Sequence, residues 1–257
     1  PDDKLVSERP PPGTYVKYYD ARAEPASHHP QPDPVTIART EVPGVNPSNE
    51  DLIEYEIASG ATRSDGYPTR LTLQLFNYCT LQCPMCCFGI NPQHEKTNTA
   101  VFLENPLLDN LRELYPHLER VQILGGELFD IPYGRNPLVK VIRDLAELGS
   151  NRLKVEIVTN GQHLSAAWAE FIVEHSFIDQ VSFSIDSFLP EVYDKVRTVG
   201  SLDKVRASAR RLLDAKRARE SAFPVVMMKS ILSLQTVAGI RNFHDEAHAL
   251  GADSIEF

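Results

Sequence analysis

The chain has 257 residues, 42% hydrophobic and 24% charged, with a formal net charge of −9. That leaves room for one large α/β domain or two small ones, with a sizeable buried core. The acidic balance argues against a nucleic-acid partner. No apolar run nears the roughly 20 residues that span a bilayer, so no membrane is expected.

Residues 1–66 hold ten of the 19 prolines, in stretches such as RPPPG and SHHPQPDP. Proline fixes φ and removes a backbone donor, so this N-terminal extension is expected to be extended and irregular, with His28 and His29 on a solvated loop. Its first residues, PDDKLVSERPPP, lack the apolar stretch of a secretory signal. Asn46 to Gly60 reads as a short capped helix.

From Tyr67 to Phe257 the pattern is regular and defines the core. Alternation over Arg70–Phe76 predicts a strand, and Asn105–Leu118 a helix with an Asn cap and an early proline. Then follow strand Arg120–Leu124, helix Asn136–Gly149, strand Leu153–Thr159 and helix Ser165–His175. Strand Gln180–Asp186, helix Ser201–Ala218, strand Phe223–Leu232, helix Thr236–Gly251 and strand Ala252–Phe257 complete the chain. Strand and helix thus alternate about six times, which implies a parallel sheet, either doubly wound or curled into a full or partial barrel. In barrels the chemistry collects at the C-terminal ends of the strands. Leu73, Leu75, Ile123, Val155, Ile157, Phe183 and Met228 are expected to line the interior. Glu256, at the end of the sixth strand, reads as a surface charge.

All four cysteines fall between Cys79 and Cys87, just after the first strand. Bridges within so short a loop would remove little unfolded-state entropy, so the group reads as a metal or redox site in a reducing cytoplasm. Cys79, Cys83 and Cys86 are spaced C-x3-C-x2-C. Three thiolates so placed can each take one iron of a [4Fe–4S] cluster and leave the fourth iron open. Alternatively, three cysteines with His94, or all four, would close a tetrahedral zinc site. Cys87 reads as a buried apolar thiol.

The other strand ends carry polar groups. Gly125, Gly126 and Glu127 follow the second strand; two residues without Cβ admit a ligand close to the backbone, and the carboxylate suits an ammonium group. Thr159, Asn160 and Gly161 follow the third. Ser184 and Asp186 end the fourth, placed on one side by period two, and suit a ribose or an amino-acid head. Arg197, soon after, is a planar donor matched to a carboxylate. A ligand with an amino group, a carboxylate and a ribose, beside an iron with an open position, is S-adenosylmethionine.

The stretches CTLQCPMC, GGE, TNG and SID…YDKVR resemble the radical S-adenosylmethionine (radical SAM) superfamily, from Tyr67 to Phe257. They depart from its usual pattern at Met85, Leu128 and Ser187. The resemblance implies a partial (β/α)6 TIM-like barrel. It assigns a [4Fe–4S] cluster to Cys79, Cys83 and Cys86. S-adenosylmethionine falls to Gly125, Gly126, Glu127, Asn160, Ser184, Asp186 and Arg197. It also implies reductive cleavage to a 5′-deoxyadenosyl radical that abstracts hydrogen from a substrate, with an electron donor such as flavodoxin or ferredoxin. The lead-in LIEYEIASG…YPTRLTLQLFNYC is similar to members with a SPASM or twitch auxiliary-cluster domain, which implies a peptide or small polar metabolite as substrate and peptide or sugar modification as outcome. Two other readings stand beside it: a non-catalytic zinc- or cluster-bearing interaction module, and an RNA-modifying radical enzyme.

Overall fold

The computed structural model describes residues 48–62, 64–87, 103 and 105–257. The Pro-rich arm with His28 and His29, and also His94, lie outside the described residues. The chain divides into two units, Pro1–Ser64 and Asp65–Phe257. The described part of the first is helix α1, Asn49–Ser59. A capping box starts it: Asp51 N donates to Ser48 Oγ at 3.1 Å, and Ser48 N donates back to Asp51 Oδ2 at 2.9 Å. Gly60, at φ 65°, ends it.

The second unit is a six-stranded parallel sheet in the order β1-β2-β3-β4-β5-β6. The strands are β1 Arg70–Gln74, β2 Arg120–Leu124, β3 Lys154–Thr159, β4 Ile178–Ser184, β5 Val225–Lys229 and β6 Ser254–Glu256. The helices between them are α2 Asn105–Asn110, α3 Pro137–Leu148, α4 Ala166–Glu174, α5 Pro190–Val196, α6 Leu202–Ala218 and α7 Ile240–Leu250. A doubly wound sheet reverses its strand order at a switch point. Here the order never reverses. Right-handed crossovers that all step the same way put every helix on one face, which is the architecture of a partial barrel. Among the described residues no helix is long and apolar enough to cross a membrane.

Side-chain caps set several boundaries. Asn136 Oδ1 accepts from Leu138 N to start α3, and Ser165 and Ser201 cap α4 and α6. The helix expected to run to Leu118 stops at Asn110 and continues as two 3-10 turns, Leu111–Glu113 and Tyr115–His117. Pro116 explains this, since its ring lacks an N–H and clashes with the carbonyl four residues back. The predicted β5 is trimmed at both ends, and the first turn of the last helix is 3-10 over Val237–Gly239.

The expected interior is corrected. Leu73, Ile123, Val155, Ile157, Phe183 and Met228 share one face of the sheet by register, and Leu75 continues it. All are buried in one core with Leu138, Ile142, Trp168, Leu212 and Phe243 from the helices. They face the helices, not the barrel interior. The alternate positions, Gln122, Glu156, Gln180, Ser182, Met227 and Lys229, form the concave face. A one-sided barrel buries its apolar set against the helix layer, and that layer fixes the phase.

Candidate active site

The cysteine loop leaves the C-terminal end of β1 and is tied to three other strand ends. Thr80 N donates to Asp130 Oδ2 at 2.6 Å, just beyond β2. Asn160, directly after β3, points Nδ2 at Cys79 Sγ, 3.6 Å away. Beyond α5, Gln82 N donates to Thr198 O at 3.2 Å, and Thr198 Oγ1 donates to Gln82 O at 2.5 Å. Arg197 Nη1 lies 3.9 Å from Cys83 Sγ. Within the loop, Cys86 N donates to Cys83 O at 3.0 Å, closing a tight turn.

Cys83 is buried, and Cys79 and Cys86 are half-buried. Cys87 is exposed, which corrects the expected buried thiol. It stands at the outer end of the turn that brings Cys83 and Cys86 together. Burial pushes the Cys79 thiol up to about 12, reinforced by Glu127 and Asp130. Burial also raises Cys83, against the pull of Arg197. Both thiols need a cation to hold them as thiolates.

Among the described residues, no three His, Cys, Asp or Glu side chains converge as a single metal ion requires. Three thiols spread along one loop, two of them beside an N–H donor, instead fit a cluster that takes one cysteine per iron. Such N–H···S contacts are a known means of tuning iron–sulfur centres. The donor set therefore fits a [4Fe–4S] cluster.

The GGE segment packs closely against the cysteine loop. A Cβ on Gly126 would lie 2.2 Å from Tyr78 O, and one on Gly125 would lie 2.2 Å from Gln74 Cγ. The space at both glycines is taken by the strand and loop that carry the cysteines. Glu127 N donates to Tyr78 O at 2.7 Å. The Glu127 carboxylate is 1% exposed. It accepts from Thr159 Oγ1 at 2.6 Å, Asn160 N at 2.5 Å and Phe129 N at 3.1 Å. It is a clasp between the ends of β2 and β3, and it orients Asn160.

Burial, aided by Asp130, pushes the Glu127 carboxyl up to about 7 despite those donors. The ordinary value is 4.5, so the folded chain retains a proton that the unfolded chain has released between these values. Stability should therefore fall as pH rises through that window. Urea denaturation at ~pH 5 and ~pH 7 should show this slope in the wild type and a flatter one in Glu127→Gln. Equal slopes would mean that Glu127 is ionised throughout.

Asp186 is also a correction. Strand β4 ends at Ser184, and Asp186 takes φ 67°, so period-two alternation does not carry across to it. Its buried carboxylate accepts from Arg197 Nε at 2.8 Å and Ile231 N at 2.9 Å. It anchors Arg197, whose side chain is 13% exposed. Ser184 sits half-buried on the concave side at the end of β4. Asp130, His163, Gln162 and Thr198 escaped the sequence reading. His163 Nδ1 lies 2.5 Å from Asp130 Oδ1. Gln162 joins Tyr193 Oη at 2.9 Å to Ser201. The available signal was position: Asp130 lies three residues past Glu127, and His163 two past Gly161.

A one-sided parallel barrel with a three-cysteine loop over its first strand, and polar strand ends around that loop, defines an iron–sulfur enzyme working at the barrel mouth. The family model of the radical SAM superfamily matches residues 73–230. That is more than half of the chain, and the chain belongs to this superfamily, whose enzymes use a [4Fe–4S] cluster and S-adenosylmethionine. A probable GTP 3′,8-cyclase of Methanococcus aeolicus is 25% identical over 175 residues, 67% of this chain and 54% of that protein. A GTP 3′,8-cyclase of Limosilactobacillus fermentum is 28% identical over 135 residues, 52% of this chain and 38% of that protein. The chain thus spans about half the length, or less, of these curated relatives.

Among solved structures, anSMEcpe with bound AdoMet and a Cp18Cys peptide superposes with a TM-score of 0.57 at 16% identity, over 73% of this chain and 50% of that one. Methylornithine synthase gives a TM-score of 0.53 at 14% identity, over 83% and 65%. These likenesses show the shared fold.

Proposed function

We propose that this chain cleaves S-adenosylmethionine reductively and directs hydrogen abstraction at a peptide or a small polar metabolite lying over the concave face. The observation that carries this is the loop of Cys79, Cys83 and Cys86, with Asn160 and Arg197 aimed at two of its sulfurs. When bound, the cluster and S-adenosylmethionine supply a one-electron C–S cleavage and a carbon-centred radical. The residues divide the remaining work. Cys79, Cys83 and Cys86 hold the cluster. Gly125 and Gly126 fit the end of β2 against the loop. Glu127 and Asp186 act at one remove, by fixing Asn160 and Arg197. Ser184 and the outer guanidinium nitrogen of Arg197 supply donors to the cofactor's polar groups. Residues 1–66 form an extension to this core at 67–257, and a flavodoxin- or ferredoxin-type donor in a reducing cytoplasm supplies the electron.

The test is anaerobic reconstitution with iron and sulfide, then S-adenosylmethionine and dithionite, with 5′-deoxyadenosine as the readout. About four irons per chain and nucleoside formation are expected. One zinc per chain and no nucleoside would sink the reading and leave an interaction module. The named activity of the curated relatives favours a second substrate class, a guanine nucleotide. GTP added to the same assay distinguishes it, by stimulating nucleoside formation.

A further inference from the structure

The concave face carries a polar band that the site above does not use. Gln122 Nε2 on β2 donates to Glu156 Oε2 on β3 at 2.8 Å. From β4, Gln180 Nε2 and Ser182 Oγ donate to Glu156 Oε1 at 3.0 and 2.9 Å. Lys229 Nζ on β5 lies 3.6 Å from Glu156 Oε1 and 3.1 Å from Glu256 Oε2 on β6. The band therefore crosses five of the six strands. Gln122, Glu156, Gln180 and Lys229 are partly open to solvent and Glu256 is exposed, with only Ser182 fully buried, while Val121, Ile123, Val155, Ile157 and Val181 on the opposite face are all fully buried.

Barrels whose interior is a packed core fill it with layers of branched apolar residues. Withdrawing charges from water costs more than a pair usually returns, so an ionic band across a barrel centre works against stability. A polar band there, set among Leu124, Val158 and Met227 of the same face, suits contact with a polar ligand better than it suits core packing. The charge of that band is uneven. Burial opposes charge on Glu156, yet the hydrogen bonds from Gln122 and Ser182 and the ammonium of Lys229 hold its carboxyl below the usual range. Two carboxylates thus share one ammonium. At the mouth, Arg197 is already engaged by Asp186 and Cys83. Arg70, Arg120 and Lys154 share the concave phase but stand at the N-terminal ends of β1, β2 and β3, the ends away from the mouth. Around the band and the mouth, the described residues offer acceptors and negative charge, and no unshared cation for a phosphate.

We propose that the Glu156–Lys229–Glu256 band is a substrate-recognition subsite for an amine- and hydroxyl-bearing group, and that it disfavours a phosphorylated substrate. This deepens the radical-enzyme reading and rests on it for where the substrate lies. Glu256, expected from sequence to be a plain surface charge, becomes a specificity determinant at the sheet edge.

Three sugars matched in shape but not in charge test this: glucosamine, glucose and glucose 6-phosphate. Each is titrated into the reconstituted, S-adenosylmethionine-loaded protein, with binding read by saturation-transfer NMR. Glucosamine should bind in the millimolar range and glucose more weakly, with glucose 6-phosphate and GTP not binding. Glu256→Gln should weaken glucosamine about fivefold, the scale of a part-exposed ion pair. Glu156→Gln should do at least the same. Glu256 is 52% exposed, so its replacement spares the core, and thermal melting of both variants checks the fold. Glucose 6-phosphate or GTP binding as well as glucosamine would overturn the proposal. So would glucosamine that fails to bind, or that binds both folded variants as it does the wild type. Nucleoside formation without added sugar, assayed in parallel, judges the radical reading separately.

Discussion

Cys83→Ala should abolish iron retention and 5′-deoxyadenosine formation, with a loss of at least about a thousandfold in rate under anaerobic reconstitution. Cys83 is the middle cysteine of the proposed ligand triad, 4% exposed, and the thiol that faces Arg197. Alanine removes one of three anchors and also leaves the buried guanidinium facing a methyl group. Stability without metal should change little, because the thiol accepts only one long contact at 3.9 Å. The measurements are iron and sulfide content, the visible absorbance of the cluster and nucleoside yield. Cys87→Ala is the control: Cys87 is exposed and outside the triad, so iron and nucleoside should stay at wild-type levels. A Cys83→Ala protein that still carries a full cluster would remove this residue from the ligand set. Loss of iron in Cys87→Ala would reassign the third ligand.

The contrast between these neighbours shows what the sequence can and cannot give. The six βα units were readable because strands and helices differ in period, and several helices open on a capping side chain, as at Asn136, Ser165 and Ser201. The cysteine spacing was readable because a loop ligand set is a local property. Side-chain partners across strands are not local. Glu127 and Asp186 look in sequence like ligand contacts, since a carboxylate near a mouth suits an amine or a ribose. In the fold, each is buried against Asn160 or Arg197, its neighbour across the mouth. Face assignment failed for a related reason. Alternation says that Ile123 and Gln122 point to opposite sides, but only the one-sided helix layer says which side is the interior. That Gln122, Glu156, Ser182 and Lys229 share a phase was available in the sequence, but not its meaning.

Gly126→Ala should cost at least about 3 kcal/mol of stability and most of the iron. The residue has φ 57°, where a Cβ costs about 1–2 kcal/mol by itself. The added carbon would also lie 2.2 Å from Tyr78 O and 3.0 Å from Phe76 O. Both are backbone atoms, one and three residues short of Cys79, so the chain must move where the proposed first iron ligand is set. Gly134→Ala is the matched control: nothing lies within 4 Å of its added carbon, and the change should stay within about 0.5 kcal/mol. Urea denaturation and iron content measure both. The two roles open to Gly126 give different results. If its missing Cβ serves the cysteine loop, as the contacts indicate, stability and iron fall together. If it instead leaves room for the cofactor, Gly126→Ala keeps its iron and stability and loses only S-adenosylmethionine binding. That outcome would return the GGE segment to the cofactor-contacting role suggested by its sequence.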